Sequence, residues 1–492
     1  MDYKALQNGS DIRGIALEGV EGQHVDLTEE AVADLSRGFV LWLRRKLGKD
    51  DLLIALGRDS RLSGPSILKT ASEAMAKEGA RVADFGLAST PAMFMSTVGI
   101  DPDLAADGAV MVTASHLPFN RNGLKFFIRE GGLESRDIRE IIELAQSGEH
   151  TLLPSGTVFR HEFMPVYSRY LADKVRSVTE EERPLEGLKI IVDAGNGAGG
   201  FFASDVLVPL GADITGSQFL EPDGSFPNHI PNPENKDAME SIRKAVLETN
   251  ADLGIIFDTD VDRAGAVLPS GEELNRNKLI AMISAILLRD HPGAVIVTDS
   301  VTSTGLADFI REKGGVHHRF RRGYRNVINE SVRLNNEGRE SVLAMETSGH
   351  GALKENYFLD DGAYLMVKLL CEMARGRKMN YALSSLIDTL KEPSEAAEFR
   401  MPITVPDFRS YGEEVLMRLA EYASTKPDWH PAPDNYEGLR VNIGTGWFLL
   451  RLSLHEPLMP LNIEGDRPGD VKRIQAALSP FLEGCEGLKM TF

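Results

Sequence analysis

Ala109-Val110-Met111-Val112-Thr113-Ala114-Ser115-His116 joins an apolar run to a polar segment with a hydroxyl and an imidazole, and Lys125 follows ten residues after the serine. Four consecutive apolar residues are too short for a helix and suit a strand covered on both faces. The same unit recurs along the chain. Leu52–Leu56 runs into Gly57-Arg58-Asp59-Ser60-Arg61, and 189–192 into Asp193-Ala194-Gly195-Asn196-Gly197. Leu253–Phe257 runs into Asp258-Thr259-Asp260-Val261-Asp262-Arg263. Residues 294–297 run into Thr298-Asp299-Ser300, and 342–345 into Glu346-Thr347-Ser348-Gly349-His350. Open α/β sheets bind ligands in such loops, at the carboxyl ends of their strands.

Helical patterns lie between these units. Thr28 reads as an N-cap, with Glu29 and Glu30 in the first turn, an apolar face from Val32 to Leu43, and Gly48 as the stop. Leu279 to Leu288 reads as a largely buried helix ended by Pro292. The last hundred or so residues differ, with an alternating strand candidate at 399–405 and a proline-rich stretch at 427–433. A chain of 492 residues exceeds one core. The expected division is 1–158, 159–269 and 270–386 as α/β domains, and 387–492 as a smaller α+β domain.

The formal net charge of −19 argues against nucleic acid or an anionic membrane as a partner, while local arginines can still make a basic site for a small anion. Two widely separated cysteines, Cys371 and Cys485, suit a reducing compartment and a cytoplasmic protein. The N-terminus has no pattern of a signal peptide, and no apolar run approaches membrane-spanning length.

A serine hydroxyl is a weak nucleophile until a base or a metal activates it. His116 and Lys125 are nearby in sequence, and Asn122-Gly123 reads as a tight turn folding Lys125 back toward Ser115. The same residues also suit an ordinary polar loop with a surface lysine. In an extended loop Asp258, Asp260 and Asp262 point the same way, and three converging carboxylates call for a hard divalent cation. Arg263 beside them suits a phosphate. Arg13, Arg58 and Arg61 sit in loops that suit either anions or turn salt bridges. Glu346, Ser348 and His350 alternate after a strand and suit a polyhydroxylated ligand.

Taken together, these motifs resemble the α-D-phosphohexomutases over essentially the whole chain. Thr113-Ala114-Ser115-His116 with Pro118, Asn122, Gly123 and Lys125 matches the family's serine loop. Asp258 to Arg263 matches its metal loop, and Glu346 to His350, followed by Asp360-Asp361-Gly362, its sugar loop. Asp193 to Gly197 and Pro222-Asp223-Gly224-Ser225-Phe226-Pro227-Asn228 are supporting matches. The resemblance implies three related α/β domains with mixed sheets and a smaller C-terminal α+β domain around a central cleft. It implies a phosphoryl group carried on Ser115, and Mg²⁺ held by Asp258, Asp260, Asp262 and a phosphoryl oxygen on Ser115. Lys125, Arg263 and Arg13 would assist catalysis, with His350 and Lys125 as candidate bases. Glu346, Ser348 and Arg321 would bind the sugar phosphate, and Arg451, Ser453 and His455 its non-reacting phosphate. A hexose 1,6-bisphosphate would be the intermediate and activator.

Some positions depart from the family pattern. Leu117 and Thr259 stand where an asparagine and a glycine are common, and Arg321 and Tyr324 where a lysine and a histidine are frequent. In Arg451-Leu452-Ser453-Leu454-His455-Glu456-Pro457, Leu454 replaces a small residue and His455 a threonine, losing a hydroxyl donor but gaining a ring nitrogen. The sugar loop is similar to the phosphomannomutase/phosphoglucomutase branch, which implies mannose or glucose phosphates as substrates. Rival readings are a phosphoglucosamine mutase, a Mg²⁺-dependent sugar phosphatase and a non-catalytic sugar-phosphate binder. The expected partner is a small sugar phosphate, with no nucleic acid and no membrane; monomer and homo-oligomer both suit the sequence.

Overall fold

A computed structural model of the chain describes residues 2–453 and 456–491. It divides into two compact units, Met1–Asn275 with Ser348–Ser385, and Arg276–Thr347 with Leu386–Phe492.

The first unit holds two mixed sheets. In the larger, Leu53–Arg58 lies parallel to Arg81–Leu87 and to Gly108–Val112. Gly108–Val112 then pairs antiparallel with Arg121–Ile128, which pairs antiparallel with Asp11–Ile15. Every residue of Gly108–Val112 is buried, as its unbroken apolar run requires. In the smaller sheet Ile190–Asp193 and Leu253–Phe257 are parallel, and Leu253–Phe257 turns back antiparallel into Ala264–Val267. The serine and aspartate segments therefore each leave the carboxyl end of a buried strand.

Local chemistry accounts for the helices. Glu29–Leu47 starts where the Thr28 hydroxyl accepts the Ala31 amide, carries Arg44, Arg45 and Lys46 in its last turn, and ends at Gly48 with φ 62°. Its apolar face, including Val32, Leu35, Phe39 and Trp42, packs into the core of the larger sheet. A Cβ on Gly38 would come within 2.5 Å of the Ile141 carbonyl, so glycine is what lets this helix approach Ser135–Gln146 so closely.

The second unit holds three parallel strands, with Val295–Thr298 between Val316–Arg319 and Ser341–Met345. The buried helix expected at 279–288 is Arg276–Asp290. The unit's other sheet is antiparallel and five-stranded, in the order Glu395–Pro402, Leu458–Gly465, Gly446–Leu450, Leu439–Ile443, Trp429–Pro431. Helices Phe408–Ser424 and Asp470–Leu482 pack on this sheet around Val415, Leu419, Ile474 and Leu478. The strand expected at 399–405 begins earlier, at Glu395, and the proline-rich stretch contributes a short edge strand. Within these two units the architecture is three α/β domains with mixed or parallel strands, and a C-terminal α+β domain.

Cys371 and Cys485 are buried free thiols. Among the described residues no helix is long and apolar enough to cross a membrane.

Candidate active site

After Gly108–Val112 the chain makes tight turns, in which the Leu117 amide reaches the Ala114 carbonyl and the Arg121 amide reaches Pro118. The turn lies at 114–121 and not at Asn122-Gly123, a correction to the sequence reading. Asn122 and Gly123 are inside strand Arg121–Ile128, because Gly123 pairs with Arg13 on the neighbouring strand, and a Cβ there would lie 2.2 Å from the Ile12 carbonyl. Lys125 reaches the site from this strand, in register with Met111.

Ser115 sits at φ 52°, a left-handed conformation that costs a non-glycine residue on the order of 1 kcal/mol or more. Its amide donates to Thr113 Oγ1 at 2.8 Å. The buried hydroxyl donates to Asp258 Oδ2 at 3.0 Å, accepts from Arg263 Nη2 at 3.0 Å, and lies 3.2 Å from His116 Nδ1. Arg263 also contacts His116 Nδ1.

The aspartate segment is a compact turn rather than the expected extended loop. The Val261 amide donates to the Asp258 carbonyl at 3.3 Å, and Val261 itself is left-handed at φ 69°. A β-branched residue at positive φ is a true outlier, held here by burial and by the Gly362 amide on its carbonyl at 3.1 Å. The three carboxylates converge all the same. Lys125 Nζ lies 3.0 Å from Asp260 Oδ2 and 2.5 Å from Asp262 Oδ2, and the Arg263 guanidinium lies 3.3 Å from Asp258. Thr90 donates both its hydroxyl and its amide to Asp260.

These charges set the protonation states. Burial, and then the repulsion of Asp262 and Asp260, pushes Asp258 well above the carboxylate range. Burial acts the same way on Asp262, but Lys125, His350 and Arg263 outweigh it and hold Asp262 below that range. His350 is held down to about 3, by burial first and the Arg263 charge next, so it is neutral at pH 7. Burial, Arg263 and Arg13 hold His116 at about 2.

One carboxylate oxygen from each of Asp258, Asp260 and Asp262 can lie within 4.8 Å of the other two. Asp260 Oδ1 and Asp262 Oδ1 are buried and accept no hydrogen bond. Hard oxygen donors with unused lone pairs, beside an aspartate raised by burial and by its neighbours' charge, fit a divalent cation.

The remaining sequence candidates divide between the units. His350 belongs to the first, with Nδ1 at 2.9 Å from Ser348 Oγ, and Nε2 at 3.7 Å from Asp262 and 3.6 Å from Asp360. Arg13, ion-paired to Asp11 at 3.0 Å, belongs there too, and its charge is felt at His116 and His350. In the second unit Glu346 accepts the Gly323 amide at 2.6 Å, and Arg321 donates to the Tyr436 carbonyl at 3.0 Å. The largely buried Arg451 lies 3.6 Å from Glu437, and Ser453 Oγ accepts the Glu456 amide at 3.3 Å. His455 and Leu454 lie outside the described residues.

Sequence reasoning missed Thr90 and Glu437. Nothing local marks either, because their partners are 170 and 14 residues away.

A serine hydroxyl between a carboxylate and a guanidinium, beside an acidic trio fit for a cation, at the carboxyl ends of strands from two α/β sheets, has the parts of a phosphoryl-transfer site. Comparison with known proteins narrows the class. Family models for the phosphoglucomutase/phosphomannomutase α/β/α domains I, II and III match residues 4–151, 165–271 and 275–392. A phosphomannomutase/phosphoglucomutase of Pseudomonas syringae pv. tomato is 30% identical, over 88% of this chain and 89% of its own. A phosphoglucomutase of Neisseria gonorrhoeae is 28% identical, over 96% and 95%. The crystal structure of a phosphoglucomutase/phosphomannomutase family protein from Burkholderia thailandensis superposes with a TM-score of 0.82 at 26% identity, covering all of both chains. The chain belongs to the phosphoglucomutase/phosphomannomutase family and is a phosphohexomutase, an isomerase that works by phosphoryl transfer.

Proposed function

We propose that this enzyme interconverts the 1- and 6-phosphates of glucose, mannose or both, with Ser115 as phosphoryl carrier. The observation that carries the reading is the Ser115 hydroxyl held between Asp258 and Arg263. In the first transfer a sugar hydroxyl oxygen bonds to the phosphorus on Ser115, and the bond from phosphorus to Ser115 Oγ breaks. The product, a hexose 1,6-bisphosphate, returns its other phosphoryl group to Ser115 and leaves as the isomer. The same bisphosphate added in trace would act as activator.

His350 is the candidate base for the sugar hydroxyl's proton: it is neutral at pH 7, although burial and Arg263 leave it a weak base. Lys125 suits that role less: its ammonium already donates to Asp260 and Asp262. Lys125 and Arg263 are instead assigned to charge developing on the phosphoryl oxygens. Asp258, Asp260, Asp262 and a phosphoryl oxygen on Ser115 would hold Mg²⁺, which when bound neutralises charge on the transferring group. Glu346 and Ser348 are assigned to sugar hydroxyls, Arg451, Ser453 and His455 to the phosphate at rest, and Arg13 and Arg321 to the attraction of the anion.

The four segments 1–158, 159–269, 270–386 and 387–492 would then carry the phosphoserine, metal, sugar and phosphate functions in turn. Two buried thiols suit a reducing compartment, the cytoplasm.

The test is a coupled assay with Mg²⁺ on glucose, mannose and glucosamine 1-phosphates, each with trace hexose 1,6-bisphosphate and a Ser115→Ala control. Formation of a glucose or mannose 6-phosphate that vanishes in the control supports the reading. Release of inorganic phosphate without isomerisation, or turnover confined to the amino sugar, overturns it.

A further inference from the structure

Ser115 holds a left-handed backbone, and such a conformation persists only where its surroundings over-determine it. Arg61 supplies much of that determination. Its side chain is wholly buried and ion-paired to Asp59. One guanidinium donates to the carbonyls of Leu117 at 2.6 Å and of Pro118 and Arg121 at 2.9 Å, and also to that of Ser115. Asp59 accepts the Arg61 amide at 3.0 Å and the Thr113 hydroxyl at 2.7 Å, and that same hydroxyl oxygen receives the Ser115 amide. The whole turn carrying the nucleophile is thus folded around one cation.

The guanidinium also carries an aromatic ring, that of Phe226, whose centroid lies 5.4 Å from its central carbon. Phe226 comes from the Pro222–Asn228 segment, which the chemistry above leaves without a role. Its backbone lies directly against the Arg61 loop, because a Cβ on Gly224 would lie 2.4 Å from the Leu62 amide nitrogen and 2.6 Å from the Ser60 carbonyl. At its other end the segment is tied to Asn196. The Asp223 amide donates to the Asn196 carbonyl at 2.9 Å, and Asn228 Nδ2 to Asn196 Oδ1 at 2.7 Å. The Asn196 loop in turn holds the aspartate turn, through the Ala198 amide on the Thr259 carbonyl at 2.8 Å. A Cβ on Gly197 would lie 2.7 Å from that same carbonyl, so the two backbones touch.

We infer that Arg61 and Phe226 are positioning residues, and that the Pro222–Asn228 segment is a brace setting the distance between Ser115 and the three aspartates. Neither residue touches the reacting atoms. Arg61 shapes the serine turn, the Phe226 ring packs on Arg61, and Asn196 passes the constraint to Thr259. The inference deepens the reading of Ser115 as phosphoryl carrier and rests on it.

The test uses the full chain with Phe226→Ala and Arg61→Lys. Phe226 is only partly buried, so its truncation leaves the fold intact; lysine keeps the charge at 61 but cannot fork to four carbonyls. The expected result for both is a kcat lower by on the order of 10- to 100-fold with KM within about twofold of wild type, as a slightly misplaced nucleophile gives. Amide hydrogen exchange at 113–123 should rise, with the rest of the first unit unchanged. Wild-type kcat and wild-type exchange at 113–123 in Phe226→Ala would overturn the inference, as would an increase spread over the whole unit. If Arg61→Lys does not fold, Phe226→Ala alone decides. Mass spectrometry of the wild type after incubation with glucose 1,6-bisphosphate separates the two readings: without phosphate on Ser115 the carrier reading falls, while the exchange comparison still tests the brace.

Discussion

The hydroxyl of Ser115 donates to Asp258 Oδ2 at 3.0 Å across 143 residues of chain. Asp258 is fully buried and raised by burial and by its two aspartate neighbours. Asparagine at 258 removes the buried charge and keeps the shape. Asp258→Asn should therefore leave the melting temperature unchanged or higher in EDTA, while kcat falls by on the order of 100-fold or more. A thermal scan beside a steady-state assay checks both halves.

A divalent cation that binds only the folded trio stabilises the protein by mass action, by about 2.7 kcal/mol at a hundred times its Kd. Added Mg²⁺ should raise the melting temperature of the wild type, and EDTA should reverse it. Asp260→Asn should abolish the shift, since Asp260 Oδ1 is one of the trio's two buried oxygens that accept no hydrogen bond. The readout is differential scanning fluorimetry without substrate.

Arg263 reaches Ser115 Oγ through Nη2 and Asp258 through Nε, two contacts made by one planar fork. Lysine keeps the charge and loses the fork. Arg263→Lys should fold normally and lose on the order of 100-fold in kcat, as a rapid-quench measurement of phosphoryl transfer to Ser115 would show.

Asp361 caps the helix Gly362–Met379 and accepts from Tyr167, Asn356 and the Tyr364 amide, yet burial pushes it up to about 6. Its folded pKa is thus above its unfolded value, near 3.9. Between those values the folded state binds more protons, so this group's contribution to stability falls as pH rises from about 4 to 6 and is constant above. Asp361→Asn carries no such charge. The stability of the wild type relative to Asp361→Asn should decline across that window, as urea titrations at pH 4.5 and 7.5 would measure.

Gly362 packs against the aspartate turn, where a Cβ would lie 2.6 Å from the Arg263 carbonyl carbon. Neither backbone can yield freely. Gly362→Ala should cost about 1–3 kcal/mol and weaken Mg²⁺ binding by displacing the turn, whereas Asp260→Asn removes a ligand and should abolish binding. Calorimetric titration with Mg²⁺ separates the two.

Much of this was legible in the chain. The helix at 29–47 was readable from Thr28 to Gly48 because caps, end charges and apolar spacing are local signals. The strands entering the serine and aspartate loops were readable because a strand buried on both faces must be apolar throughout. Asn122-Gly123 misled because a turn-prone pair also serves where a strand needs glycine for close backbone approach, and only the neighbouring Ile12 carbonyl shows which applies. The aspartates converge as expected but by another route, a left-handed Val261 that no residue preference favours.

The sequence by itself determined the kinds of element and their order, since those follow from periodicity and from residue types close together in the chain. Only the tertiary structure decided that Lys125 neutralises Asp260 and Asp262, that Thr90 holds Asp260, and that Arg61 is the core of the serine turn rather than an anion site. Each of these is a contact between groups distant in sequence, whose charge and burial are fixed only when separate strands and loops are packed together.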